Sequence, residues 1–388
     1  MVNFAFHAPT KILFGEGQIV NLPKEIKKVG QKVLLAYGGG SIKKSGLYDT
    51  VTSLLRQNGI EYAELSGIEP NPKITSVRQG VEICRKEQVD AILAVGGGST
   101  IDCSKAISAA VFYEGDPWDV ILDQSLTKKT LPIFSVLTLS ATGTEMNGNA
   151  VISNMETNDK KAIGLQSLKP VCSVLDPTYT YSVSPYQTAS GVADIMSHIF
   201  EVYFSTTEGA LVQDRISEGL LKVCIECGRK ALADPRDYDA RANIMWASSL
   251  AINGLNSAGK VGVWSCHSME HQLSAYYDIT HGAGLATLTP AWFRYVLSDS
   301  TVDKFVSYGT EVWGIDPTLD RYEIANRAIQ ATADFLFDDL KLPARLSEYG
   351  IDETHLKEMA EKSAAEGLEN AYVPLSAEDV LAIYRSCM

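Results

Sequence analysis

The chain has 388 residues, of which 45% are hydrophobic and 21% charged, a composition typical of a globular protein long enough for two domains. Its formal net charge of −13 argues against binding to nucleic acid or to an anionic membrane surface, although local backbone amides can still hold a phosphate-bearing cofactor. We expect a soluble, cytoplasmic protein for three reasons. The cysteines are few, the N-terminal segment lacks the basic start and apolar middle of a signal peptide, and no apolar run reaches the ~20 residues that a membrane span needs.

The first half of the chain predicts a parallel α/β sheet, because short apolar runs alternate with helical stretches as far as residue 183. Such runs are typical of strands buried on both faces. The strands are expected within 2–14 and at 32–37, 62–65, 89–95, 133–138 and 171–175, with helices that include 74–87 and 100–111. This alternation is the pattern of a parallel sheet with crossover helices.

Two turns of the same composition follow two of these strands. The first is Gly38, Gly39, Gly40 and Ser41, and the second is Gly96, Gly97, Gly98 and Ser99. Glycine lets backbone amides approach a ligand closely, and the start of the next helix favours phosphate. A single such turn would be an ordinary strand-to-helix connection, but two in one sheet favour a dinucleotide site. Asp102, one turn into the second helix, either caps that helix or meets a ribose hydroxyl.

From residue 184 onward the sequence predicts only helices, so we expect an α/β domain at 1–183 and an all-helical domain at 184–388. The segments with a 3.6-residue period are 191–204, 211–233, 238–257, 262–277, 283–298, 303–313 and 322–340. Pro290 is expected to kink or interrupt one of them.

Four of the six histidines, all in the helical half, form a pattern that suggests a metal site. Asp194 and His198 are four residues apart, as are His267 and His271, so each pair lies on one helix face. His281 follows Thr280, a good N-cap, and is expected in the first turn of another helix. One carboxylate and three imidazoles suit Zn²⁺, Fe²⁺ or a similar ion. The alternative is a set of structural histidines held by hydrogen bonds.

Two other functions remain open on these residues alone. The run from His267 to His271 matches H-x-x-E-H, a metallopeptidase pattern in which Glu270 would be the general base. That hypothesis leaves Asp194, His198 and both glycine turns without a role, whereas a metal-dependent oxidoreductase would use them all. If the chain is such an oxidoreductase, we expect Glu270 to point away from the helix face that carries the ligands. A non-catalytic nucleotide-binding module is the third possibility.

A series of motifs in fixed order resembles the iron-containing (group III) alcohol dehydrogenase family, in its butanol dehydrogenase and broad aldehyde reductase branch, over essentially the whole chain. The matching pieces are Ile12–Gly15, Tyr37–Ser41, Glu69–Pro72, Ala94–Asp102, Thr138–Glu145, Leu175–Pro177, Gly191–Asp194, His198, His267 with His271, and His281–Gly282. At Gly143-Thr144-Glu145 the chain departs from the Gly-Ser-Glu that the family usually carries.

The resemblance implies a dehydroquinate-synthase-like fold, a homodimer, and hydride transfer between NADP(H) and a primary alcohol or aldehyde such as butanol or butanal. It implies one divalent ion, Fe²⁺ or Zn²⁺, on Asp194, His198, His267 and His281, with His271 beside these ligands but not bound to the ion. For such a mechanism we expect His271 to be either a proton relay between the substrate oxygen and solvent or an orienting or packing group. The resemblance also implies pyrophosphate contacts at the second glycine turn and further nucleotide contacts at Asn71, Asp102, Thr138, Ser140, Val151, Lys160 and Tyr179.

The turn at Gly38 predicts a preference for NADP(H), with NAD(H) as the alternative. An acidic residue at this place would bind both ribose hydroxyls and repel a 2′-phosphate. The turn has no carboxylate, and Lys43 and Lys44 follow one helical turn on.

Overall fold

The computed structural model describes all 388 residues and divides the chain into two compact units. We call His7–Val183 the sheet unit, and Met1–Phe6 together with Ser184–Met388 the helical unit. No helix in either unit combines the length and the apolar character needed to cross a membrane.

The sheet unit is built on six parallel strands in the order β1-β8-β5-β4-β2-β3. A separate antiparallel hairpin is formed by β6 and β7. The strands are β1 (Lys11–Phe14), β2 (Lys32–Gly38), β3 (Glu61–Ile68), β4 (Ala91–Gly96), β5 (Ile133–Leu137), β6 (Asn149–Asn154), β7 (Asp159–Gly164) and β8 (Cys172–Leu175). Its helices are α1 (Leu22–Ile26), α2 (Ser41–Lys44), α3 (Leu47–Gln57), α4 (Ile74–Glu87), α5 (Gly98–Ala110) and α6 (Pro117–Leu122).

The central strands are buried on both faces, which confirms the predicted parallel α/β sheet. Successive residues of β2 point to opposite sides, so that Leu34 and Ala36 join one apolar core while Val33 and Leu35 join another. Every residue of β4 and β5 is buried. A continuous apolar run is the pattern that such two-sided burial requires.

The β6–β7 hairpin was not predicted from the sequence, and the first strand is shorter than predicted. Within 2–14, only Lys11–Phe14 forms a strand. The two strands of the hairpin are short and half-polar, so their alternation of side chains gives only a weak strand signal. The turn between them contains no glycine, so the usual hairpin signal is missing as well.

The helical unit contains nine α-helices, in agreement with the prediction for this half. They are α7 (Pro185–Tyr203), α8 (Leu211–Ala233), α9 (Tyr238–Ile252), α10 (Ser265–Tyr277), α11 (His281–Val296), α12 (Val302–Trp313), α13 (Arg321–Asp334), α14 (Leu356–Ala364) and α15 (Ala377–Ser386). Pro290 does not interrupt α11, which continues past it to Val296. A core of packed aromatic rings, centred on Phe204, holds α7, α11 and α12 together.

The first six residues belong to the helical unit, although the sequence predicts them in the α/β domain. The backbone N–H of Val2 donates to the carbonyl of Gly259 at 2.9 Å, and the N-terminal ammonium donates to the carbonyl of Glu208 at 2.5 Å. Main-chain pairing of this kind depends on tertiary position and leaves no pattern in the sequence.

Gly282 allows α11 to approach α7 more closely than any other residue would. A Cβ atom at this position would lie 2.0 Å from the backbone oxygen of Ser190 and 3.2 Å from the Cβ atom of Asp194. The contact therefore fixes the start of α11, and with it His281, next to Asp194.

We expect Gly282→Ala to force the two helices apart and to lower the free energy of unfolding by roughly 1–3 kcal/mol, the usual cost of overpacking. Gly219→Ala is the matched control, because Gly219 is also helical but a Cβ atom there would contact nothing within 4 Å. That control should be neutral or stabilising by ~0.5–1 kcal/mol. Thermal denaturation of both variants checks this, and equal stability would contradict the close helix contact.

Candidate functional site

Three imidazoles surround one buried carboxylate oxygen in the helical unit. The Nε2 atoms of His198, His267 and His281 lie 3.6, 3.9 and 3.7 Å from Oδ1 of Asp194. Two ligands bound to one ion at ~2.1 Å in a tetrahedron are ~3.4 Å apart, so these atoms stand close to the spacing of a shared metal. The helices α7, α10 and α11 thus bring the four predicted ligands together.

The chemistry of these atoms fits a divalent cation. Asp194 Oδ1 and His267 Nε2 have no hydrogen-bond partner, and both side chains are almost fully inaccessible to solvent, so water cannot satisfy these atoms either. A buried carboxylate oxygen without a partner is costly, and a cation is the group that offsets the cost. Three nitrogens and one oxygen suit Fe²⁺ and Zn²⁺ alike.

His198 is held in its neutral form and is packed against aromatic rings. Burial lowers the pKa of His198 to about 3, so the ring is uncharged at neutral pH and offers a lone pair to a metal. Its ring stacks on that of His267 at a centroid distance of 4.8 Å and lies 5.5 Å from the ring of Trp264. Trp264 also lies edge-on to His267 at 4.8 Å, so an apolar wall closes this side of the cluster.

Glu201, a residue that the sequence analysis did not single out, lies behind His267. Its Oε1 accepts from the backbone N–H of His267 at 3.0 Å and lies 3.2 Å from Nδ1 of the same ring, and its Oε2 accepts from the N–H of Ser265 at 2.9 Å. The N-cap residue of α10, Trp264, makes no side-chain cap, so this carboxylate from α7 caps the helix instead. Glu201 lies seven residues after Asp194 and therefore on the same helix face, and this spacing could have identified it in the sequence as a neighbour of the site.

Glu270 contradicts the expectation that it points away from the ligands. Its carboxylate is fully buried, with one oxygen against Nδ1 of His281 and the other accepting from the hydroxyl of Ser274. The pairing arises because α10 and α11 pack side by side, with Gly284 leaving space for the side chain. A carboxylate enclosed in this way is not placed to act as the general base of a peptidase.

His271 lies at the edge of the cluster and is half-buried. It shares a face of α10 with His267, and its ring centroid is 6.3 Å from that of His267 and 5.7 Å from that of His281. His281 begins α11, as predicted, although Thr280 makes no side-chain cap. Since His271 is not among the side chains around Asp194 Oδ1, it is close to the candidate metal position without facing that oxygen.

In the sheet unit, the predicted nucleotide contacts gather at the carboxyl edge of neighbouring strands. Strand β2 ends at Gly38 and β4 ends at Gly96, and these strands are adjacent at the point where the strand order reverses. Dinucleotides bind at this place in open parallel sheets. The neighbouring β5 adds Thr138, whose N–H donates to the carbonyl of Gly96, and then Ser140. The first glycine turn is Gly38–Ser41, and the second leads into α5 at Gly98.

The hairpin is tied to α5 by a buried polar network. Asp102 accepts from the Thr144 hydroxyl at 2.5 Å and from the N–H of Val151 at 3.0 Å. Lys105 is completely buried and donates to Thr144 Oγ1 at 2.6 Å, to Asn147 Oδ1 at 3.1 Å and to the carbonyl of Asn149 at 2.8 Å. Burial lowers the pKa of Lys105 to about 8. The threonine that departs from the family pattern therefore supplies a hydroxyl bridge between Lys105 and Asp102.

The remaining predicted contacts lie on the hairpin and in the segments that follow β3 and β8. Lys160 on β7 donates to Oδ1 of Asn71 at 3.1 Å, and both side chains are buried. Asn71 itself has a positive φ of 47°. Tyr179 follows β8, and burial raises its pKa to about 12.

A cation sits beside the first glycine turn. The ammonium of Lys43 lies 5.1 Å from the ring centre of Tyr37 and 4.8 Å from that of Tyr48. The pKa of Lys43 is raised, mainly by its interaction with Tyr37, so that it stays charged. The carboxylate of Glu64 is engaged by the hydroxyls of Tyr37 and Tyr48 at 2.6 and 2.7 Å.

Comparisons with known proteins agree across both units. A profile described as iron-containing alcohol dehydrogenase matches residues 9–177, and one described as the C-terminal part of the Fe-containing alcohol dehydrogenase family matches 188–388. The chain is 56% identical over 387 residues to the NADH-dependent butanol dehydrogenase A of Clostridium acetobutylicum, with 99% of each chain covered. It is 41% identical to the NADPH-dependent aldehyde reductase YqhD of Escherichia coli, over 95% of this chain and 94% of the other. The crystal structure of NADH-dependent butanol dehydrogenase A from Thermotoga maritima superposes with a TM-score of 0.94 at 40% identity, covering 100% of this chain and 99% of the other.

The candidate metal position can be tested by comparing Asp194→Ala with His271→Ala. We expect Asp194→Ala to lose the ion and His271→Ala to keep it, because only Asp194 supplies the oxygen on which the three Nε2 atoms converge. Metal content after dialysis and the rise in Tm on adding Zn²⁺ give the measurement, since a ligand at 100 times its Kd stabilises by ~2.7 kcal/mol. A full complement of metal in Asp194→Ala would rule the site out, and loss of metal in His271→Ala would make His271 a ligand.

Proposed function

Because the chain belongs to the iron-containing alcohol dehydrogenase family and is an oxidoreductase of alcohols and aldehydes, we propose that it transfers a hydride between NADP(H) and a primary alcohol or aldehyde such as butanol or butanal. The family uses NAD(P) and iron. The observation that carries the proposal is the convergence of three imidazole Nε2 atoms on the unpartnered carboxylate oxygen of Asp194.

In this proposal Asp194, His198, His267 and His281 hold one Fe²⁺ or Zn²⁺ ion. When bound, such an ion supplies Lewis-acid polarisation of the substrate oxygen. The protein's part is to keep the ligands in place and to leave one side open. His198 and His267 are buried beside Trp264, whereas His281 and His271 are only partly covered, so the substrate oxygen approaches from the side of the latter pair.

We assign His271 the role of moving a proton between the substrate oxygen and solvent. His271 is half-buried and lies next to His281, on the partly open side of the cluster. This position suits a group that exchanges protons with water. His271→Ala, the variant expected to keep the metal, should then lower kcat by ~10²–10⁴-fold and alter the pH dependence of the rate. A wild-type kcat in this variant would leave His271 as an orienting or packing residue.

The nicotinamide nucleotide carries the hydride, and the sheet unit is proposed to bind it. Backbone amides of Gly96, Gly97, Gly98 and Ser99 receive the pyrophosphate at the start of α5. The adenosine ribose is assigned to the turn at Gly38–Ser41, and the further contacts to Asn71, Asp102, Thr138, Ser140, Val151, Lys160 and Tyr179. Asp102 and Val151 are bonded to each other, so the hairpin and α5 contribute as one rigid surface.

A preference for NADP(H) over NAD(H) belongs to the proposal and is supported by charge. Relatives do not decide the matter, because the butanol dehydrogenases named above are described as NADH-dependent and the E. coli reductase as NADPH-dependent. Gly38–Ser41 contains no carboxylate, Glu64 is engaged by two tyrosine hydroxyls, and Lys43 keeps its charge beside the turn. This arrangement favours a dianionic 2′-phosphate.

A cytoplasmic homodimer completes the proposal. The apolar side chains of Met1, Val2, Phe4 and Phe6 are exposed on the helical unit, where association would cover them. All seven cysteines are buried and unpaired, as expected in a reducing compartment. Sedimentation should give twice the 42.2 kDa mass of the chain, and a monomer would refute the dimer.

The activity is tested with a series of C2–C6 aldehydes and NADPH, before and after removal of metal by a chelator. We expect turnover with the C4 aldehyde, its loss on chelation and its return on adding Fe²⁺ or Zn²⁺. Turnover that survives complete removal of metal would contradict the metal-dependent mechanism, and absence of turnover with every aldehyde would contradict the substrate class.

The nucleotide preference is tested by Lys43→Ala against Lys44→Ala, since only Lys43 lies over the two tyrosine rings. We expect kcat/KM for NADPH to fall by roughly 10-fold or more in Lys43→Ala, in line with loss of one charge-assisted hydrogen bond, while NADH is little affected. Lys44→Ala should resemble the wild type. An equal change for both cofactors would show that Lys43 does not contact the 2′ position.

An added carboxylate gives the reverse test. Gly39→Asp is preferable to Gly38→Asp, because a Cβ atom at Gly39 meets nothing within 4 Å, whereas one at Gly38 would lie 3.1 Å from the backbone oxygen of Ile68. The acidic side chain should shift the preference toward NADH.

A further inference from the structure

We propose that Glu201 and Glu270 are positioning residues, which hold the rings of His267 and His281 by Nδ1 and so set the affinity of the site for a divalent ion. The inference rests on the proposed metal site and names two residues outside its ligand set. Both carboxylates are buried, with exposures of 2% and 0%.

The two carboxylates determine which nitrogen of each ring carries the proton. An ionised carboxylate can only accept a hydrogen bond, so the nitrogen facing it must be an N–H. For His267 this is Nδ1, 3.2 Å from Glu201 Oε1, and for His281 it is Nδ1 against Glu270 Oε2. In both rings the Nε2 lone pair is then turned toward Asp194 Oδ1. A carboxylate behind a ligating imidazole also raises its basicity.

Each carboxylate is itself fixed by a second contact, which makes its position independent of the ring. Glu201 accepts from the N–H groups of Ser265 and His267 at the start of α10. Glu270 accepts from the Ser274 hydroxyl one helical turn away. A support that is anchored in this way can orient a ring, whereas a side chain held only by the ring would move with it.

The third imidazole shows the contrast. Nδ1 of His198 is buried without a hydrogen-bond partner, and stacking against His267 and Trp264 holds its ring. The cluster therefore has two rings supported by charge and one supported by packing. We expect the positions of the His267 and His281 rings to depend on Glu201 and Glu270, and the position of the His198 ring to be independent of both carboxylates.

The test uses the full chain, stripped of metal and titrated with Co²⁺ against a chelator, so that binding is read without any assay of activity. Glu270→Gln and Glu201→Gln keep the shape of each side chain but remove its charge. Each should weaken Co²⁺ binding by ~10–100-fold and change the visible absorption spectrum of the bound ion. Glu218→Gln is the control: Glu218 is buried in the same unit but accepts from Tyr203 and Arg215, so it should alter stability and leave the Kd and the spectrum unchanged.

A double-mutant cycle shows whether Glu270 acts through its histidine. In a His281→Ala background, Glu270→Gln should cause little further loss of Co²⁺ affinity, because the ring that it positions is gone. An additive loss would mean that Glu270 acts as a general negative charge, and this would overturn its positioning role. The same cycle with Glu201→Gln and His267→Ala supplies the answer if a Glu270 variant does not fold.

The outcomes separate this inference from the proposed function. Wild-type Kd and spectrum in both glutamine variants would overturn the positioning role while leaving the metal site intact. Failure of the wild-type chain to bind one equivalent of Co²⁺ would refute the metal site itself.

Discussion

The carboxylate of Asp194 is the constraint around which the helical unit is arranged. Its Oδ1 atom is buried without a hydrogen-bond partner, at the point where three imidazoles converge. Such a group is unfavourable in a protein interior unless a cation compensates it. The close packing of α7 against α11 at Gly282 brings His281 to this oxygen.

Two further layers of side chains and backbone groups hold the histidines around Asp194 in place. The rings of His267 and His281 are backed by Glu201 and Glu270, and these carboxylates are in turn held by helix N–H groups and by Ser274. Every one of these contacts is local to α7, α10 and α11. The metallopeptidase interpretation of the same histidines fails on the burial of Glu270, since a general base has to reach water.

The sheet unit follows a similar principle with different chemistry. Its two glycine turns follow β2 and β4 at the carboxyl edge of the sheet, and the network of Lys105, Thr144 and Asp102 fixes the hairpin to α5. The burial of Lys105 is tolerated because three oxygen atoms accept hydrogen bonds from its ammonium group. A nucleotide that binds at this edge would meet a surface that is already ordered, which reduces the entropy lost on binding.

The sequence by itself determined what depends on local periodicity. Continuous apolar runs gave the buried strands, 3.6-residue spacing gave the helices, and the four-residue spacing of Asp194 with His198 and of His267 with His271 gave two candidate ligand faces. Only the tertiary structure decided which faces meet. Spacing along one helix cannot say that Glu270 lies behind His281, that Glu201 caps a different helix, or that the first six residues pack against the loop at Gly259. Those contacts join residues far apart in the chain, and they arise from packing between elements, which leaves no period in the sequence of either one.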